Sequence, residues 1–94
     1  MKVIKSEHVE VCLDGSVILE VYFDNEIQKS TIDSLSQNGS LKYYASFARP
    51  FFSIDVKGYY VLKGVEGNKT LRIRLRDEQA FSIIDFEELC KKVI

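Results

Sequence analysis

Residues 71–75 read Leu-Arg-Ile-Arg-Leu. Apolar and charged side chains that alternate every second position match a β-strand with one face buried and the other wet. An α-helix, at 3.6 residues per turn, would scatter the three aliphatics around its axis. The same alternation runs through Val17, Leu19, Val21 and Phe23. A slip of one residue would exchange the two faces, so such patterns select their own register.

Turn residues then set the pairings. In HVEVCLDGSVILEVYF, a two-residue Asp14-Gly15 loop would put Val9 opposite Glu20, whereas a three-residue Leu13-Asp14-Gly15 loop puts Val11 opposite Val17 and Val9 opposite Leu19. The longer loop keeps one face apolar and gives Gly15 the left-handed third position that glycine suits. From Leu41 to Leu75 the chain reads as a meander: LKYYASF, a connection at Pro50, FFSIDV, YYVLKGV and TLRIRLR. Pro50 cannot donate to a ladder and so belongs outside a strand or on an edge. A Gly67-Asn68 turn pairs Leu62 with Ile73 and Tyr60 with Leu75, and a Val56-Lys57-Gly58 loop pairs Ile54 with Tyr60 and Phe52 with Leu62. These choices agree in placing Phe52, Ile54, Tyr60, Leu62, Leu71, Ile73 and Leu75 on one buried face.

Two segments carry helical spacing. In DNEIQKSTIDSLSQNG, Asn25 and Gln28 fit a capping box, Ile27, Thr31, Ile32 and Leu35 form a thin apolar stripe, and Asn38-Gly39 offers a stop. Near the end, Asp85 and Glu88 fit a second capping box, followed by Phe86, Leu89, Cys90 and Val93 on one stripe. The preceding AFSII, residues 80–84, reads as a short strand from its β-branched content, with the opening turns of a longer helix as the alternative. The expected class is α+β over residues 1–94 as one domain: a mainly antiparallel sheet in the order β-β-α-β-β-β-β-(β)-α, with both helices on one face. Counting a seventh strand also permits a bent, barrel-like sheet.

The net charge of −1 conceals an uneven distribution. Residues 1–38 hold three lysines against seven acids, residues 39–76 eight Lys and Arg against two acids, and residues 77–94 two lysines against five acids. The near-neutral total points to internal matching, with acidic helices packed beside basic strands. No apolar run approaches the roughly 18 residues of a membrane span, and the start lacks the apolar stretch of a signal peptide. Two cysteines 78 positions apart do not make a disulfide framework, so the expected setting is cytoplasmic, with reduced thiols.

Chemistry-bearing groups are sparse. His8, Glu10 and Cys12 alternate on one expected strand, with Glu20 across from His8. Alternate strand residues stand about 6.5–7 Å apart, too far for side chains to converge readily on a zinc ion, so no metal is expected. Cys90 sits on an apolar helix stripe as a small hydrophobe, and Glu10 and Asp14 near Cys12 disfavour a thiolate. The glycines lie at turns and strand ends and form no phosphate loop. No catalytic residue or cofactor is assigned.

What remains is the outer face of the sheet. The expected register gathers Phe51, Tyr59, Lys63, Arg72, Arg74 and Arg76 there, with Lys63 opposite Arg72. Like charges in that position destabilise a sheet unless something offsets them: Asp55, Glu66, a helix carboxylate or a ligand. The expectation is a non-enzymatic binding domain that uses this mixed aromatic and basic face for a protein partner or for self-association. The alternative is single-stranded nucleic acid, with bases stacked on Tyr59 and Phe51 and phosphates on the arginines. The sequence pI near 5.8 weighs against it.

Overall fold

The structure is a computed structural model that describes residues 2–37, 39–77 and 81–93. Its elements are β1 (Val3–Val11), β2 (Val17–Phe23), α1 (Lys29–Leu35), β3 (Ser40–Tyr44), β4 (Phe51–Val56), β5 (Tyr60–Val65), β6 (Thr70–Leu75) and α2 (Ile83–Val93). The strands form one antiparallel six-stranded sheet in the order β1-β2-β6-β5-β4-β3. This is the expected α+β class. The sheet is open, with β1 and β3 at its edges.

Alternation selects the buried face. Val17, Leu19, Val21 and Phe23 of β2 and Leu71, Ile73 and Leu75 of β6 are all buried, as are Phe52, Ile54, Tyr60 and Leu62 of β4 and β5. The helices cover this face: Ile32 and Leu35 of α1 and Phe86 and Cys90 of α2 join the same core. Among the described residues, no helix is long and apolar enough to cross a membrane.

The turns explain where the expected registers hold and where they slip. In the β1–β2 hairpin, Val11 faces Val17, and Gly15 takes φ +90° in the third loop position as expected. Val9 does not face Leu19; a bulge leaves Val9 exposed and brings His8 opposite Leu19 and Glu7 opposite Glu20. A second irregularity falls at Ile4. Edge strands carry such bulges because one side lacks a neighbour to enforce the ladder, and the extra twist blunts the edge. The bulge also puts His8 and Glu10 on opposite faces, so the alternating His8, Glu10 and Cys12 trio is dispersed. Among the described residues, no group of three or more His, Cys, Asp or Glu side chains could hold a metal ion.

The β5–β6 register is as expected, with Leu62 opposite Ile73 and Tyr60 opposite Leu75. Its turn is centred on Glu66-Gly67, closed by the Asn68 N–H donating to the Val65 carbonyl at 3.1 Å, with Gly67 at φ +91°. The β4–β5 pairing is two residues away from expectation: Ile54 faces Leu62 and Phe52 faces Gly64. A two-residue slide preserves the faces, so the core composition survives it. Its cause lies at Gly64, where an added Cβ would stand 2.9 Å from Phe52 Cζ and 3.2 Å from Leu71 Cβ. The Phe52 ring occupies the space that a side chain at 64 would need, which the expected Phe52–Leu62 pairing could not offer. β3 is shorter than LKYYASF, ending at Tyr44 and leaving Phe47 in an exposed connection.

Both helix starts differ from the expected capping boxes. α1 begins after Gln28 without a side-chain cap. Ile27 is instead held by the sheet: its N–H donates to the Asn68 carbonyl, and its carbonyl accepts the Gly67 N–H, both at 2.8 Å. Backbone pairing there replaces the Asn25 cap. The Asn38 part of the predicted stop lies outside the described residues. In α2 the capping box is Ser82 with Asp85, whose carboxylate accepts the Ser82 N–H at 2.8 Å, rather than Asp85 with Glu88. Ile83 and Ile84 are therefore helical, and the strand expected over 80–84 is absent from its described part; Ala80, like the Val93 side chain of the predicted stripe, lies outside the described residues. The alternative of a longer helix wins because Ser82 caps it and Phe81 packs on Tyr60, ring centroids 4.8 Å apart.

Gly64→Ala is expected to lower stability by about 1–3 kcal/mol, the cost of overpacking a filled core. Urea unfolding measures it as a lower midpoint. An unchanged midpoint would contradict the placement of Phe52 over Gly64.

Candidate binding face

The outer face can be followed as rows that cross the sheet. One row runs Lys42–Ser53–Lys63–Arg72–Glu20–Glu7, from β3 to β1. A second runs Ser40–Asp55–Val61–Arg74–Ile18–Glu10. The third begins Tyr44–Phe51–Val65 and ends Thr70–Tyr22–Lys5. Because neighbouring strands stand about 4.8 Å apart, each row presents a continuous strip of side chains. Cations gather on β3, β5 and β6, and carboxylates on β2 and β1.

Over these rows lies an open groove of about 810 Å³, whose lining includes Tyr44, Phe51, Lys63, Arg72, Arg74 and Glu20. Of the residues predicted for the face, Phe51, Lys63, Arg72 and Arg74 thus come together. Tyr59 and Arg76 stand at the opposite end of the sheet, where the Arg76 N–H donates to the Tyr59 carbonyl at 3.1 Å and the Tyr59 ring meets the edge of Phe81. Tyr59 and Phe51 therefore do not form one stacking platform. The aromatic partners of Phe51 are Tyr44, stacked at 4.3 Å, and Phe47, at 5.0 Å, all three exposed. Tyr44, Phe47 and Lys42 were missed in the sequence, although Lys42 and Tyr44 alternate with Leu41 and Tyr43 and so carried a legible signal.

Lys63 does face Arg72, and the offset comes from the first hairpin. Arg72 Nε donates to Glu20 Oε2 at 2.8 Å. Arg74 donates to Asp14 Oδ2 at 3.1 Å and to Ser16 Oγ at 3.2 Å. None of the expected acids supplies this. Glu66 accepts the Tyr43 hydroxyl at 2.6 Å, which pushes the Tyr43 pKa up. Helix carboxylates are on the other side of the sheet, so the expected helix-to-strand matching is corrected to a hairpin-to-strand one. Exposed ion pairs of this kind contribute about 0.2–1 kcal/mol each; their main effect is to set the charge pattern. Among the described residues, no carboxylate lies within ion-pair distance of Lys42 or Lys63.

The Asp14 pKa is held below the usual aspartate range, chiefly because Ser16 donates to Oδ1 from its hydroxyl at 2.6 Å and from its backbone N–H at 3.0 Å, with Arg74 adding its charge. Cys90, by contrast, is a buried thiol whose pKa is pushed up to about 12 by desolvation and by Glu87. That state suits packing and opposes nucleophilic chemistry. Comparison with models of protein families, with curated proteins and with solved structures finds no match to this chain.

Because the folded-state pKa of Asp14 is depressed, its carboxylate adds to stability above the usual aspartate range, and that contribution is lost as pH falls through the folded value. Ser16→Ala, which removes the hydroxyl donor and keeps the backbone N–H, is expected to raise the Asp14 pKa, read by carboxyl-carbon NMR titration. An unchanged Asp14 pKa in this variant would contradict the role of the Ser16 hydroxyl.

Proposed function

We propose that this chain is a small non-enzymatic binding domain whose outer sheet face contacts protein. The observation that carries the reading is the exposed Tyr44–Phe51–Phe47 cluster bordering a groove with charges of both signs. Aromatic and arginine side chains are enriched at protein interfaces, where a rim of mixed charge fixes orientation. A phosphate backbone favours an uninterrupted basic track. Here Arg72 and Arg74 are already engaged by Glu20 and Asp14, and Glu7 and Glu10 extend the acidic end of the face. The nucleic-acid alternative therefore ranks below a protein contact.

A photo-crosslinking amino acid placed at Phe51 tests this in the cells that make the protein. The expected result is a discrete protein adduct from position 51 and none from Lys91 on α2. Absence of any adduct at 51, together with salt-sensitive oligonucleotide binding that is lost in Lys63→Ala, would overturn the reading in favour of single-stranded nucleic acid.

A further inference from the structure

The row Lys42–Ser53–Lys63–Arg72–Glu20–Glu7 is opposite in charge at its two ends, Lys42 on β3 and Glu7 on β1. We infer that the partner of this face is a second copy of the chain, packed sheet on sheet about a two-fold axis that runs parallel to the strands over the β5–β6 seam. The inference rests on the reading of the outer face as a protein contact. The seam is the midpoint of the strand order. A two-fold axis along it lays β3 over β1, β4 over β2 and β5 over β6 of the second copy, while each row stays in line with itself. Such an interface is isologous, so every contact is made twice. Two sheets packed face to face stand about 10 Å apart, with strand directions within about 30° of each other.

Charge complementarity carries the argument. Lys42, which has no ion-pair partner among the described residues, comes over Glu7 of the second copy, which Lys5 engages at 3.1 Å within its own chain, with Glu10 one row further along. At the end of the strands, the stacked Tyr44 and Phe51 rings come over Lys5 and Tyr22, where the Lys5 ammonium already sits 4.5 Å from the Tyr22 ring centroid. At the axis, the Lys63–Arg72 step of one copy meets the same step of the other. The open groove there leaves room for water between these cations, and Glu20 holds each Arg72. The opposite choice, a two-fold axis perpendicular to the strands along the row of Lys42, would lay β3 over β3 and set Lys42 against Lys42.

Five inter-strand spacings make the face about 24 Å wide. With strands of about six residues at about 3.3 Å rise, its projected area is about 480 Å², below the roughly 800 Å² per partner of a standard interface, so the association expected is weak, on the order of 10–100 µM.

Analytical ultracentrifugation of the purified chain, from about 10 µM to about 1 mM at low and high salt, tests the arrangement. A reversible monomer–dimer equilibrium that weakens with salt is expected. Lys42→Glu alone, and Glu7→Lys with Glu10→Lys, should each weaken dimerisation about tenfold or more, an effect of the size of one buried charge contact. The combined triple variant should recover most of the wild-type affinity, which a merely misfolded variant would not do. A wild-type chain that stays monomeric throughout, a dimer indifferent to the single reversals, or a triple variant no tighter than its parents would each overturn the inference. A monomeric chain whose Phe51 adduct is a different protein would sink the two-fold arrangement while leaving the outer-face reading intact.

Discussion

The insertion of β6 between β2 and β5 is the constraint on which the rest of the structure depends. It joins the N-terminal hairpin to the C-terminal meander, which otherwise share no strand pairing. On the inner side, Leu71, Ile73 and Leu75 meet Val21, Leu19 and Val17 on one flank and Gly64, Leu62 and Tyr60 on the other. Burying each such aliphatic side chain is favourable by about 1.5–3 kcal/mol. On the outer side, the same pairings decide which charges become neighbours, so core and surface are read from one register.

The outer face follows from that insertion. Had the hairpin docked against β3, Glu20 would lie far from Arg72, and Lys63 and Arg72 would oppose each other without relief. With β2 beside β6, Glu20 and Asp14 take up the two arginines, Lys42 and Lys63 stand free of ion pairs among the described residues towards β3, and Glu7 and Glu10 stand towards β1, with Asp55 and Lys5 as exceptions to the pattern. A near-zero net charge is then compatible with a strongly patterned surface. The aromatic cluster at Tyr44, Phe47 and Phe51 sits at the basic end of this pattern, next to the connection that carries Pro50.

Much of the fold was legible because alternation is a strong local signal. Leu71, Ile73 and Leu75 identified the buried side of β6, and the expected Gly67-Asn68 turn gave their partners in β5, although the turn itself is centred on Glu66-Gly67. The features that were missed depend on non-local facts. Gly64 looked like a strand end in the sequence, yet it is the position that admits the Phe52 ring and slides β4 by two residues. The Val9 bulge is tolerated because β1 is an edge strand, and edge status follows from the strand order. Ser82 was overlooked as a cap since Asp85 fits the same pattern three residues on. Of the candidate face, Phe51, Lys63, Arg72 and Arg74 followed from local register. Tyr59 and Arg76 were separated from them because a register argument assigns faces well and positions along a strand less well. The role of Glu20 depended on where the hairpin docked, which no local pattern encodes.

Cross-strand nuclear Overhauser effects along β6 test this account most directly. They should place Arg72 opposite Glu20 on one side and opposite Lys63 on the other, with Ile73 between Leu19 and Leu62. Contacts from Arg72 to Leu19 or Val21, or no contacts between β2 and β6, would contradict both the core and the charge pattern built on it.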